Sequence, residues 1–228
     1  MFVRTAATAP NSNALGDPRL TIGENPIGPV NEFTYKEGTK IYGEREPAVY
    51  VYQVKEGAVR SYRLLSDGRR QIGEFHLVGD IFGLPSGECH RFTTEAVVDT
   101  TLWLIERQSL EKTARTDGPV ARTLLSMTAS NLKHAEDHLL LLGRKDALEK
   151  VATFLIEMDK RLRATGVVTL PMSRNDIADY LGLAVETVSR ALSQLRRTGI
   201  VSVAGDQHLR REITILDRQQ LIALDLQD

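Results

Sequence analysis

Glu186, Ser189 and Arg190 are the residues whose types and spacing define the sharpest chemistry in this chain. On a helix, positions four apart stand one turn apart on the same face, so a carboxylate and a guanidinium would flank a hydroxyl. A guanidinium can donate two hydrogen bonds to guanine O6 and N7. A carboxylate can accept from cytosine N4, and a hydroxyl can meet a base or a phosphate. Such a set could read a G·C step in a major groove. The same residues could instead form an exposed i,i+4 ion pair, worth only about 0.3–0.5 kcal/mol. The elements that carry them favour base readout.

Ser173 to Gly199 reads as two short helices folded at a glycine. Ser173 with Asp176 three residues on has the form of a capping box, in which both side chains satisfy free backbone N–H groups. Ile177, Ala178 and Leu181 then supply an apolar face, and Gly182 permits a sharp turn. The second helix is expected from about Val185 to Arg197. Val185, Val188, Leu192 and Leu195 make its buried stripe, with Glu186, Ser189, Arg190, Ser193 and Arg197 opposite. Two such helices around a glycine turn describe a helix-turn-helix. Ala184 opens the second helix and cannot cap it, which weakens that start by about 0.5–2 kcal/mol unless Thr187 or water substitutes. Next come Ile200–Val203, a Gly205-Asp206 turn and Glu212–Leu216, the alternation of a hairpin wing. Arg174, Arg196, Arg197, Arg210 and Arg211 suit phosphates rather than bases, and Ser173, Thr187 and Ser193 are placed as further phosphate contacts.

This stretch resembles the DNA-binding motif of the Crp/Fnr superfamily. The E-x-x-S-R pattern of Glu186, Ser189 and Arg190 is that of its Fnr-like branch, and MSRNDIADYLGLAVETVSRALSQLRRTGIV is especially similar to the FixK group. The resemblance implies recognition of an inverted repeat of the form TTGA-N6-TCAA. Arg190 would take the guanine, Glu186 the opposing cytosine and Ser189 a neighbouring thymine. It further implies a transcriptional activator that contacts RNA polymerase and controls microaerobic or anaerobic respiration genes. One departure is Ala184, where relatives often carry Thr or Ser.

Upstream, the expected class is α+β. Residues 1–28, with Pro10, Pro18 and Pro26 and no periodicity, read as a flexible tail. Residues 29–115 read as an antiparallel β-roll of roughly eight strands. Within it, Ala48–Lys55 and Ala58–Leu65 flank Glu56-Gly57 as a hairpin, turns fall at Asp67-Gly68 and Gly79-Asp80, and Glu95–Ile105 reads as one strand. Gly79–Gly83 (GDIFG) resembles the superfamily's cyclic-nucleotide-binding-like jelly roll. Residues 116–143 read as a dimerisation helix, from Pro119 to about Leu142, and 144–228 as the winged helix-turn-helix domain. Ala121, Leu125, Thr128, Leu132, Ala135, Leu139 and Leu142 fall in steps of four and three, a heptad seam. Packing against its own roll is the alternative for that helix. A homodimer is favoured, because a palindromic site mirrors a twofold protein. Oxygen-sensing Fnr-like relatives carry an acid at what looks like the Ala135 position. An apolar Ala removes that repulsion and implies a dimer that forms without a cofactor.

At 228 residues the chain can hold two modest domains. The net charge is −1, yet residues 144–211 hold twelve Lys/Arg against eight Asp/Glu, while 1–143 and 212–228 are net −2 and −3. The positive balance lies where the helix-turn-helix does, as phosphate attraction requires. No apolar run approaches the ~18 residues of a membrane span. The N-terminus lacks a secretory apolar core, and a lone cysteine excludes a disulfide framework, so a cytoplasmic protein is expected.

Four thiolates are needed for an iron–sulfur cluster, and only Cys89 is available. Cys89 reads as a buried, inert thiol, with a redox switch near His90 and Arg91 as the alternative. Relatives that bind cyclic nucleotides carry a Glu after Phe-Gly and an Arg-Ser/Thr pair. Here Gly83-Leu84-Pro85 and Thr93-Thr94-Glu95 stand instead, and Glu95 would repel a phosphate. His76 and His90 are the candidate haem ligands but read as ordinary residues, and His134 and His138 as surface residues of the long helix. The five histidines show no metal-site spacing, so neither an enzyme nor a cofactor is expected. An effector-gated sensor with the same DNA-binding end is the rival reading.

Overall fold

Val59–Leu64, Thr93–Ala96 and Val167–Leu170 alternate more and less buried side chains, the two-residue period of a sheet with one face inward, whereas Tyr50–Glu56 buries four residues in a row. The computed structural model describes residues 19–22, 25–29, 31–162, 164, 166–204 and 211–225. The chain forms two compact units. One takes residues up to Arg63 and Gly73–Leu132, and the other takes Leu64–Ile72 and the chain from Lys133 onward.

The first unit starts with β1 (Arg19–Ile22) and β2 (Asn25–Pro29), an antiparallel pair. The rest of the tail expected over 1–28 lies outside the described residues. Pro26 and Pro29 lack an N–H, which confines them to strand edges without forbidding pairing. There follow β3 (Asn31–Tyr35), β4 (Lys40–Tyr42), β5 (Tyr50–Glu56), β6 (Val59–Leu64), β7 (Arg70–His76), β8 (Ile81–Phe82), β9 (Thr93–Ala96) and β10 (Thr100–Glu106). They form two four-stranded sheets, ordered β3-β10-β5-β8 and β4-β9-β6-β7.

Two expectations fail in the same way. β5 and β6 do not pair as a hairpin at Glu56-Gly57, because they lie in different sheets. Gly57 (φ 90°) is the corner, and a Cβ there would come within 2.6 Å of the Asp99 carbonyl. The strand read over Glu95–Ile105 is two strands, β9 and β10, again in different sheets. Thr100 locks the corners together by donating to the Ala58 carbonyl and accepting from the Ala58 N–H. Tight corners of this kind look like hairpin turns to any window only a few residues wide.

Helices α1 (Arg107–Thr116) and α2 (Gly118–Arg144) follow. One face of α2 places Val120, Leu124 and Met127 against Val51, Ile105 and Leu110. The opposite stripe stays open: Leu125, Leu132 and Leu139 are 71, 60 and 72% exposed.

In the second unit α3 (Ala147–Arg161) begins at a complete capping box between Asp146 and Glu149. Then come β11 (Val167–Leu170), α4 (Arg174–Leu181), α5 (Val185–Arg197), β12 (Val201–Ala204), β13 (Arg211–Ile215) and α6 (Arg218–Asp225). The three strands order as β11-β13-β12, which makes the wing. The expected Gly205-Asp206 turn and Arg210 lie outside the described residues. Phe154, Leu155, Met158, Tyr180, Leu181, Leu195 and Ile213 are fully buried and fasten α3, α4, α5 and the wing into one core.

His134 and His138 are not simple surface residues. The His138 ring packs 4.2 Å from that of Tyr180, and both its nitrogens are buried without a hydrogen-bond partner. Burial first, then His134 and Lys150, hold its pKa down at about 4. A depressed histidine stays neutral when folded and takes a proton on unfolding, so its contribution is present above about pH 6.5 and is lost as pH falls toward 4. Urea unfolding at pH 7.5 and pH 5 should show this as about 2 kcal/mol of the total pH-dependent loss, absent from His138→Phe. An unchanged pH dependence in that variant would contradict the assignment.

Candidate nucleic-acid interface

Ser173 caps α4 as its sequence requires: its hydroxyl accepts from the Asp176 N–H, and Asp176 accepts from the Ser173 N–H, each at 3.1 Å. At the other end Gly182 adopts left-handed geometry (φ 62°, ψ 39°) and donates to the Ala178 carbonyl. That residue turns the chain into α5, whose Val188, Ala191, Leu192 and Leu195 are buried. Burying this stripe forces the other face outward. Glu186 and Arg190 are exposed and Ser189 is half-buried on that outward side.

Among the described residues no salt bridge joins Glu186 to Arg190, although the two stand four apart on α5. Ser189, Arg190, Ser193, Gln194, Arg196 and Arg197 line a shared concave surface. Gln194 belongs to it and was missed in the sequence, where glutamine between two serine–arginine clusters reads as a neutral helix-surface residue. Arg174 reaches across from α4 and donates to the Ser189 hydroxyl at 3.3 Å. Ser193 donates to the Ser189 carbonyl at 2.8 Å, so its hydroxyl must rotate before it can donate elsewhere. Thr187 is half-buried in the first turn of α5, and Ser173 is exposed at the head of α4. Arg211 opens β13, where its backbone pairs with Leu170.

The roll interior is lined by rings. Tyr42 stacks on His90 at 3.6 Å, Tyr52 on Phe82 at 5.2 Å and His76 on Phe82 at 4.5 Å. His76 Nε2 bonds the Ser61 hydroxyl at 2.8 Å, and Ser61 bonds Thr94 at 2.9 Å. Burial lowers the pKa of His90 and pushes the Tyr42 phenol up to about 12. Both histidines, weighed as haem ligands, are thus engaged in packing. Glu95 pairs with Arg60 and accepts from the Tyr62 hydroxyl at 3.3 Å. Cys89 is exposed, which corrects the expected buried thiol: it sits on an irregular loop joined to Pro47 by one isolated bridge. Among the described residues no cluster of three or more His, Cys, Asp or Glu could hold a metal ion, and no helix is long and apolar enough to cross a membrane.

A cleft-lined helix on a glycine turn, backed by a wing and preceded by a β-roll, is a sequence-reading architecture. Family models agree: residues 149–224 match the Crp-like helix-turn-helix domain and residues 32–117 the cyclic nucleotide-binding domain. The nitrogen fixation regulation protein FixK of Rhizobium meliloti is 42% identical over 183 residues, covering 80% of this chain and 83% of that protein. The transcriptional activator protein anr of Pseudomonas aeruginosa is 33% identical, covering 83% of this chain and 78% of its own. The solved structure of FixK2 from Bradyrhizobium japonicum superposes with a TM-score of 0.81 at 60% identity, covering 86% of this chain and 97% of that one. The chain belongs to the Crp/Fnr family and is FixK-like, with the helix-turn-helix DNA-binding domain of these transcription regulators.

Ala184 already has the extended geometry of an N-cap (φ −74°, ψ 146°), yet no side chain caps α5 there. Ala184→Ser should therefore stabilise the protein by about 1 kcal/mol in thermal or urea unfolding. A neutral or destabilising result would show that the first turn of α5 has another partner.

Proposed function

We propose that two copies of this chain associate along α2 and bind a TTGA-N6-TCAA palindrome, activating transcription of microaerobic or anaerobic respiration genes in the cytoplasm through contact with RNA polymerase. In this reading residues 29–115 are the roll, 116–143 the dimerisation helix and 144–228 the DNA-binding domain. Arg190 reads the guanine, Glu186 the opposing cytosine and Ser189 a neighbouring thymine. Ser173, Arg174, Thr187, Ser193, Arg196, Arg197 and the wing arginines Arg210 and Arg211 hold phosphates. The observation that carries the reading is the outward face of α5, where an acid, a hydroxyl and a guanidinium stand unpaired with each other beside an arginine-lined concavity.

The half-sites support the twofold arrangement. Four-base halves separated by six bases place their centres about ten base pairs apart, one turn of DNA, so two recognition helices meet successive major grooves on one side. The open stripe of Leu125, Thr128, Leu132, Ala135, Leu139 and Leu142 supplies a surface for the second copy. Leu142 is its half-buried end, and the others are exposed. Nothing in that stripe is charged, so association needs no signal to neutralise it.

The roll favours DNA binding without an effector. Its aromatic interior is occupied by its own packing, and by resemblance Glu95 stands near where a cyclic phosphate would lie. With Arg60 already committed to Glu95, an anion there meets a carboxylate rather than a free guanidinium. Cyclic nucleotide and haem fit these residues poorly. The effector-gated alternative predicts tighter DNA binding on adding ligand, and comparing affinities with and without it separates the two.

Fluorescence anisotropy with the palindromic duplex against a scrambled one tests the central assignment. Arg190→Ala should cost about 1–3 kcal/mol on the palindrome and leave binding to the scrambled duplex unchanged. Equal loss on both duplexes would reduce Arg190 to a phosphate contact. Leu132→Glu with Leu139→Glu should sediment as a monomer at micromolar concentration, where the wild type sediments as a dimer. A dimeric double variant would move the interface elsewhere.

A further inference from the structure

A set of polar contacts reaches α4 from a hundred residues upstream. β6 and β7 are joined through a turn where the Arg69 N–H donates to Asp67 and Gly68 takes φ 85°. Residues 64–72, including this turn, pack as part of the C-terminal unit. Arg70 Nη2 donates to Asp176 Oδ1 at 2.6 Å and Nε to Asp179 Oδ2 at 2.7 Å. Gln71 Nε2 donates to the Asp179 carbonyl at 2.7 Å and the Tyr180 carbonyl at 3.2 Å.

Together these two residues hold α4 at both ends. The carbonyls that Gln71 meets belong to the last turn, which a helix cannot satisfy by itself. The carboxylates that Arg70 meets are three apart on one face and repel each other unless a cation lies between them. The pair with Asp176 is not a loose surface contact, since the Arg70 and Asp176 side chains are 23 and 4% exposed. Breaking such a buried pair leaves a carboxylate without its counterion.

Asp176 is also the capping partner of Ser173. Its Oδ2 accepts from the Ser173 N–H and hydroxyl, while Oδ1 accepts from Arg70. The next residue, Arg174, donates to Ser189 on the reading face of α5. The hairpin guanidinium is therefore two hydrogen-bonded steps from the head of α4, and α4 sets α5 through the Gly182 turn.

We infer that Arg70, assisted by Gln71, is a positioning residue for DNA recognition: it fixes the pose of α4 and thereby the reading face of α5. This rests on the assignment of that face to base readout. It gives residues 64–72 a part in sequence discrimination although they carry no base-reading group.

The test uses the full-length protein with Arg70→Ala, Arg70→Lys, Asp179→Asn and the double variant Arg70→Ala/Asp179→Asn. Affinities for the palindromic and scrambled duplexes are measured by anisotropy at a temperature where circular dichroism shows each variant folded. Arg70→Ala should bind the palindrome about tenfold more weakly and the scrambled duplex nearly as before, so discrimination falls. Arg70→Lys keeps the charge but loses the fork, and should fall between. The double variant should lose no more than Arg70→Ala, because Arg70 acts through that carboxylate. A folded Arg70→Ala with wild-type discrimination, or a lowered melting temperature with that ratio unchanged, overturns the inference. So does full additivity in the double variant. If Arg70→Ala does not fold, wild-type discrimination by Arg70→Lys overturns it equally. Arg190→Ala is the control: if it keeps discrimination, or the wild type never prefers the palindrome, the base-readout assignment itself fails, and the Arg70 role with it.

Discussion

The Ala178 carbonyl accepts from two N–H groups at once, those of Gly182 and Leu183, at a point where Gly182 turns left-handed. This forked bond fixes the angle between α4 and α5, and the rest of the interface depends on that angle. A residue with a side chain at φ 62° would be strained, by roughly 1 kcal/mol or more, whatever room its Cβ found. With the angle set, Val188, Leu192 and Leu195 can reach the core shared with Tyr180, Leu181 and Phe154. Their burial leaves Glu186, Ser189 and Arg190 no direction but outward. Apolar packing on one side of α5 thus orients polar chemistry on the other, and no polar contact among the reading residues is needed to aim them.

The same division of faces recurs on α2, where it has a different consequence. Val120, Leu124 and Met127 are satisfied within the chain. Leu125, Leu132 and Leu139 are not, and each would contribute about 1.5–3 kcal/mol if fully buried. Three such side chains in heptad register make a narrow seam rather than a broad patch, which is the form a partner helix fits. Thr128 and Ala135 between them are small, so a second α2 can approach closely. In the proposed twofold reading a second copy would cover this surface, with the symmetry that a palindrome demands.

Much of this was legible in the sequence because the signals are local. Ser173, Asp176 and Gly182 sit at fixed offsets from an apolar stripe, so the helix starts, stops and faces follow from short-range geometry. The apolar stripe that α2 leaves exposed is legible for the same reason. The corners at Gly57 and at Val97–Asp99 were not, since whether two strands pair or part is decided by partners far away: β10 stands between β3 and β5, while β9 stands between β4 and β6. His138 reads as a surface residue by its helical position, and only the arrival of Tyr180 from α4 buries it. Arg70 is the extreme case. Nothing near it in the chain distinguishes it from the adjacent Arg69, which bonds Asp67 in its own turn, whereas Arg70 finds two carboxylates on a helix more than a hundred residues later.

The interior of the roll determines what a ligand entering it would have to displace. A ligand shifts an equilibrium only by its difference in affinity for two states. Here the interior polar groups are already paired with each other: Ser61 with His76 and Thr94, and Glu95 with Arg60 and Tyr62. A newcomer would have to break those bonds before making its own, and the Tyr42–His90 and Tyr52–Phe82 stacks would have to open as well. What the roll does supply is a support. Val51 and Ile105, from its strands, pack with Leu110 and Val120 and hold α1 and the first turns of α2 in place. In that role its value lies in rigidity, which a self-paired polar interior increases.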